Sequence, residues 1–243
     1  MLNPENSLVP YETSALPPGP WLVFAPHGDD ETYGMGGTIL QATQQGIEIG
    51  LIVLTDGALG GGTDNLVELR QTEVTKACDL LGIKNYANWQ EPDRGLSLTE
   101  ELTATAVAAI AESKAATVFF PGPMELHPDH RMTAAIVWSA LQALGQSKVT
   151  VPAAYSYEIG VQNPINVLID ITGQRLAKEK VMAVYGSQNS ENNYEELVLA
   201  LDKGRTYTLP AAVTHAEGFY HYTSAQLVLT LEEVTQQIIQ QYF

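Results

Sequence analysis

Three stretches of the chain, "WLVFA" (21–25), "IEIGLIVLT" (47–55) and "ATVFF" (116–120), are almost wholly apolar and rich in β-branched or aromatic residues. A strand with one wet face alternates apolar and polar residues. A strand that does not alternate is covered on both faces. Each of these runs is followed by a segment with helical spacing, and strands of this kind separated by helices define a parallel sheet in an α/β fold.

Helices are expected at about 35–45, at 66–82, from a cap at Ser97 or Thr99, and at 131–144, with a short strand "NYANW" at 85–89. The second half is less regular, with strands near 153–158 and 166–170 and helices at 173–186 and 193–203. It closes on an amphipathic segment in which Leu231, Val234, Ile238 and Phe243 recur at helical intervals. The pattern predicts a single-domain, Rossmann-like, mostly parallel sheet with helices on both faces, spanning residues 21–243. An irregular arm, 1–20, stiffened by Pro17, Pro18 and Pro20, precedes it.

The formal charge of −16, without a basic stripe, excludes nucleic acid as a partner. No apolar run approaches the ~20 residues of a membrane span, and no secretory signal pattern opens the chain, so a cytoplasmic protein is expected. The single cysteine, Cys78, rules out an intramolecular disulfide and a multi-cysteine zinc site. Its place in a helix predicts a small core residue.

Ligands of open parallel sheets bind beyond the carboxyl ends of the strands, and here those ends are polar. The first leads into His27, Asp29 and Asp30, the second into Asp56, and the third into Glu91, Asp93 and Arg94. The fourth leads into "PGPMELHPDHR" with His127, Asp129 and His130. Asp29, Asp30 and Glu31 are adjacent carboxylates at the edge of a core, which repel one another unless a cation lies among them. His27, Asp30 and His130 make two imidazoles and a carboxylate, the ligand set of a catalytic zinc or iron(II) site with a position open to water. Asp29, beside them, could take a proton from water acidified by such an ion.

Simpler readings stand next to these. Asp29 or Asp30 could be a plain helix N-cap, with Glu31 favouring the helix dipole. His127 and His130 could be loop histidines. Arg70 could pair with Glu73 one turn on, and Asp56 and Asp93 could be turn acids. His215 and His221 read as structural or pocket-lining. The glycine-rich "GALGGGTD" lacks the lysine of a phosphate loop and reads as a mobile rim.

"PHGDDE" (26–31) followed by "HPDHR" (127–131) resembles the LmbE-like, PIG-L deacetylase family, whose motifs run [AP]-H-P-D-D-E and H-P-D-H. "RQTEVTKACDLLG" (70–82), "PDRGL" (92–96), "KVMAVYGSQ" (180–188) and "HAEGF" (215–219) are similar to further segments of that family. The resemblance implies a metal-dependent hydrolase, usually of zinc, that removes acetyl groups from N-acetylglucosamine-type sugars or glycoconjugates, small-molecule substrates; the ligand types also suit iron(II). It implies His27, Asp30 and His130 as metal ligands and Asp29 as the base. A protonated His127 would stabilise the oxyanion, with Asp129 orienting and charging a catalytic histidine. Arg70 and Asp93 would hold sugar hydroxyls. It also implies a homo-oligomer. Gly28 departs from the family, which carries proline there, and puts the aim of Asp29 in question. Two other readings remain: a metal hydrolase of another amide or ester, and a catalytically silent sugar-binding module.

Overall fold

The computed structural model describes residues 2–59, 65–147 and 150–243. Among them lie strands β1 (Trp21–Ala25), β2 (Ile49–Thr55), β3 (Asn85–Glu91), β4 (Thr117–Pro121), β5 (Ala153–Tyr157), β6 (Val167–Asp170) and β7 (Ala216–Tyr222). The helices are α1 (Asp30–Gln44), α2 (Leu66–Leu81), α3 (Glu100–Ser113), α4 (Pro128–Gln146), α5 (Arg175–Met182), α6 (Gly186–Asn189), α7 (Tyr194–Gly204) and α8 (Leu231–Gln240). The strands form one sheet in the order β3-β2-β1-β4-β5-β7-β6. It is parallel from β3 to β5, and β7 runs antiparallel to both β5 and β6.

Non-alternation of the central strands has the expected cause. In β1, Trp21, Val23 and Ala25 enter a core with residues of α1, α2 and α5, while Leu22 and Phe24 enter another with α3, α4 and α8. All five are buried. Each large side chain so placed contributes about 1.5–3 kcal/mol of hydrophobic stabilisation. Cys78 is buried in the first of these cores.

Four elements differ from expectation, each for a physical reason. Helix α1 begins at Asp30, not near 35, and breaks at Met35 (φ −148°, ψ 20°). The amides freed after the break are capped from across the sheet, Gly37 N and Thr38 N donating to the two Glu217 carboxylate oxygens at 2.8 and 2.7 Å. Gly34 allows α1 to lie against β5, because a Cβ there would stand 2.3 Å from the Glu158 carbonyl oxygen. Helix α4 starts at Pro128, so Asp129 and His130 sit in its first turn instead of a loop. The region 173–186 breaks at Ala183 into α5 and α6. Strand β7 was not expected, since an aromatic stretch buried between two strands shows no alternation.

The closing helix opens on a capping box between Thr230 and Glu233. It buries Val234 and Ile238, while Phe243 lies beyond it, exposed. Most of the expected glycine-rich rim, residues 60–64, falls outside the described residues. No helix among the described residues is long and apolar enough to cross a membrane.

Candidate active site

The sheet order reverses direction at β1, whose neighbours β2 and β4 lead to opposite edges. A crevice opens at such a switch point, and here its two walls are the β1–α1 turn and the β4–α4 loop. A cavity of about 470 Å³ lies there, lined by His27, Asp29, Asp30, Arg70, Asp93, Glu125, His127 and His130 among others. The groups nominated on four separate strand ends therefore meet, apart from Asp56, Glu91 and Asp129, which are not part of the lining.

The three adjacent acids go three ways. Asp30 turns back on its own strand: its Oδ2 accepts from His27 N at 2.9 Å, lies 3.1 Å from His27 Nδ1, and lies 3.3 Å from His130 Nε2. Burial opposes its ionisation, but His130 and His27 hold its carboxyl far below the usual range. Asp29 occupies the N-cap position of α1 without making a capping bond; its side chain is buried and faces the cavity. Burial and the Asp30 charge push its carboxyl up to about 6, against the pull of Arg70, His27 and His130. Glu31 points away, accepting from Tyr185 Oη at 2.5 Å and Thr32 Oγ1 at 2.7 Å, and burial pushes it up to about 7.

Each inward-facing imidazole has a carboxylate on its far side. His27 Nε2 lies 3.2 Å from Asp129 Oδ2 and 3.5 Å from Asp93 Oδ1. His130 Nδ1 lies 3.5 Å from Glu125 Oε2. Burial lowers the basicity of both rings, yet the carboxylates prevail: Asp129, Asp30 and Asp93 raise His27 well above its ordinary value, and Asp30 and Glu125 raise His130 to about 9. Asp129 Oδ2 also accepts from Arg94 N at 2.7 Å, an amide aimed there by the left-handed backbone of Arg94 (φ 59°).

The histidine that Asp129 orients is His27, which its side chain meets. The Asp129 backbone N–H donates to His127 Nδ1 at 3.2 Å. Burial and the neighbouring His27 and His130 press His127 down to about 4, so it is neutral at pH 7 rather than protonated. With Nδ1 accepting, the ring proton of the neutral form sits on Nε2, which can donate into the cavity.

Arg70 does not pair with Glu73. Its Nη1 donates to the Gly57 carbonyl at 2.9 Å, and its Nε is buried without a partner. Glu73 instead accepts from Ser187 N and Oγ at 2.9 and 2.6 Å, tying α2 to α6. Asp56 Oδ1 accepts from Ala58 N and from Asp93 N, and Asp93 Oδ2 from Leu59 N, so these acids order the rim while Asp93 also faces His27. His215 and His221 lie outside the cavity. Glu125 was missed as a site residue. It is buried and accepts from Ile159 N, Gly160 N and Asn163 Nδ2 at 2.9, 3.1 and 3.2 Å. Its two-residue offset from His127 in "ELHPDH" was the only signal in the sequence.

The donor set suits a divalent cation. Ring nitrogens of His27, His127 and His130 lie within 4.8 Å of one another, as do donor atoms of His27, Asp93, His127 and Asp129. Neither group includes Asp30, although its Oδ2 touches the rings of His27 and His130. An imidazole held by a carboxylate on its outer nitrogen is the arrangement that orients a metal ligand; His27 has it, and His130 Nδ1 faces Glu125 at 3.5 Å without a hydrogen bond. The cavity lining carries four carboxylates beside the guanidinium groups of Arg70 and Arg94; protonated His27 and His130 offset the remaining charge, as a divalent cation held by the neutral rings would.

Sheet order and site together define an α/β protein with an imidazole–carboxylate centre at the switch point, able to hold a metal ion. Residues 22–141, which contain both site motifs, match the family model PIG-L, GlcNAc-PI de-N-acetylase. Over those residues the chain is similar to the PIG-L (LmbE-like) family. It is similar to a diacetylchitobiose deacetylase of Thermococcus kodakarensis, 36% identical over 45% of this chain and 44% of that protein. It is also similar to a probable N-acetyl-alpha-D-glucosaminyl L-malate deacetylase 2 of Bacillus anthracis, 32% identical over 52% of this chain and 61% of that protein. The chain spans about half the length of these relatives. Among solved structures, the conserved protein TT1542 of Thermus thermophilus superposes with a TM-score of 0.75 at 27% identity, covering 84% of this chain and 94% of that one.

Proposed function

We propose that the protein is a metal-dependent N-deacetylase acting on an N-acetylglucosamine-type sugar or glycoconjugate. The observation that carries this reading is the pairing of the His27–Asp30–His130 group with a separate buried carboxylate, Asp29, ionised near neutral pH. The relatives' names support the acetamide as the bond attacked.

His27, Asp30 and His130 would hold the ion, zinc or iron(II), both of which suit imidazole and carboxylate. Such an ion supplies Lewis acidity, polarising the carbonyl and lowering the pKa of water to about 7. Asp29 accepts the proton that water loses as its oxygen bonds to the amide carbon. His127 donates from Nε2 to the oxygen that becomes negative. Preorganised donors of this kind are worth about 3–4 kcal/mol. Asp29 then passes its proton to the nitrogen as the C–N bond breaks, leaving acetate and the free amine. Asp129 and Glu125 keep the imidazoles in place, and Arg70 and Asp93 face the sugar from the rim.

A silent binding module drew its support from Gly28 alone, and that residue has a steric explanation in Val74. A cytoplasmic setting and a homo-oligomeric state accompany the proposal, to be checked by cell fractionation and by scattering-based mass. The decisive experiment combines metal analysis of the purified protein with an acetate-release screen over acetylated amino sugars. Stoichiometric metal and acetate release are expected. Release from other amides or esters, with none from amino sugars, would move the substrate assignment.

A further inference from the structure

The cavity has two chemically different halves. His27, Asp29, Asp30 and His130 form its polar end. Its apolar lining comes from Ile159, Tyr194, Leu197, Val198 and Leu126, with Leu59 beside Asp93. Val198 and Ile159 are buried, while Leu197, Leu59 and Leu126 are 42, 63 and 75% exposed. An apolar strip therefore runs from the interior to the mouth. Its three outer leucines come from three separate segments: the loop after β2, the loop before α4, and α7.

One exposed leucine needs no explanation. Three around one mouth, continuous with a buried apolar wall, form the kind of surface that binds an apolar group. The cavity volume lies within the range of about 300–1,000 Å³ found for pockets that hold drug-sized ligands. Charge narrows the choice. Asp29, Asp30, Asp93 and Glu125 line the cavity. Arg70 and Arg94 answer part of that charge. None of the six apolar lining residues carries a charge, so an anionic group laid along them would lose water without gaining a partner.

We infer that the site takes an N-acetylated amino sugar joined to an uncharged apolar aglycone, alkyl or aryl, which lies along Tyr194, Leu197, Val198 and Leu126. This inference rests on the deacetylase reading and names the part of the substrate that reading leaves open. The aglycone loses apolar surface to water on binding, so affinity should grow with its length until the strip is covered.

The test compares methyl, butyl, hexyl and phenyl N-acetylglucosaminides with diacetylchitobiose and a malyl glycoside, using the metal-loaded protein and acetate release as readout. The hexyl glycoside should exceed the methyl glycoside in kcat/KM by at least about tenfold, mainly through KM. In Leu126→Asn and Leu197→Asn, both at exposed positions, that ratio should fall towards one. Equal rates across chain lengths, or preference for the second sugar or the malyl group, would overturn the inference while leaving deacetylation standing. If no glycoside releases acetate, the deacetylase reading fails. Calorimetric binding of hexyl against methyl glycoside then decides the apolar strip separately: tenfold tighter binding of the hexyl form supports it, and equal binding removes it. Self-association abolished by Leu197→Asn, with the hexyl-to-methyl ratio unchanged, would assign the leucines to a second copy instead and also overturn it.

Discussion

Val74 Cγ2 stands 2.1 Å from where a β-carbon on Gly28 would lie. Residue 28 joins the end of β1 to Asp29, and Val74 is buried in the middle of α2. The backbone of Gly28 does not occupy the left-handed region, so its glycine serves close approach and not conformational freedom. The family's usual proline is excluded here by a neighbour 46 positions along the sequence. The turn that aims Asp29 is packed against α2.

Gly28→Ala should therefore cost about 1–3 kcal/mol through overpacking, with a matching loss of activity as the turn shifts. Val74→Ala in the same chain should recover part of the cost, because the new methyl enters the space vacated. Denaturant unfolding of both single variants and the double variant gives the coupling. Simple additivity would show that Val74 is not the obstacle.

Asp29 and Asp30 should separate cleanly. Asp29→Asn is expected to retain metal and lose turnover by about 10²–10⁴-fold, the range for removal of a general base. Asp30→Asn takes a charged oxygen from between two imidazoles and should lose metal. Metal per chain and acetate release, measured on the same preparations, check both. Stoichiometric metal in Asp30→Asn would remove its ligand role.

Glu125→Gln should weaken metal affinity by about 10–100-fold, the usual effect of losing a carboxylate brace behind a ligating imidazole. The glutamine amide cannot accept through both oxygens from Ile159 N, Gly160 N and Asn163 Nδ2 as the carboxylate does. Chelator competition reads the affinity directly. An unchanged affinity would reduce Glu125 to a loop tie.

Lys178 is fully buried, with Nζ 2.7 Å from Asp202 Oδ2 and 2.8 Å from Glu217 Oε1. Burial opposes its charge, but Asp202 and Glu217 outweigh it and raise its pKa above the ordinary 10.5. A raised folded pKa means that its stabilisation is complete through neutral pH and is lost only as pH climbs through the raised value. Lys178→Met should cost about 3–5 kcal/mol, because two buried carboxylates lose their cation. Asp202, which burial already pushes up to about 7, then holds its proton in the folded state at pH values where the unfolded chain has released it. The variant's stability should therefore fall as pH rises above about 4, leaving a larger deficit at pH 8 than at pH 5. Thermal melts at the two pH values test the sign, and a deficit independent of pH would contradict it.

Much of the fold was legible because its signals are local. Non-alternating apolar runs placed β1, β2 and β4 to within a few residues, Gly82 in the left-handed conformation closed α2, and Thr99 capped α3 by accepting from Leu102 N. The start of α1 was misplaced because its first turn consists of site residues, and its apolar periodicity begins only after the break at Met35. Strand β7 was hidden because burial on both faces erases the period of two. In the site, residue types at successive strand ends pointed to His27, Asp29, Asp30, Asp93, His127 and His130, and all of these line one cavity.

The sequence by itself determined a doubly covered parallel sheet and a set of acids and imidazoles delivered to one edge of it, because strand burial and strand ends are written in short-range pattern. Only the tertiary structure decided the pairings: Asp129 behind His27, Glu125 behind His130, Glu217 over the break in α1, and Val74 over Gly28. Three of these join different elements of the sheet and its layers, and Glu125 reaches its ring across a helix start. The direction of a side chain in such contacts depends on how elements pack, and no local spacing carries that information.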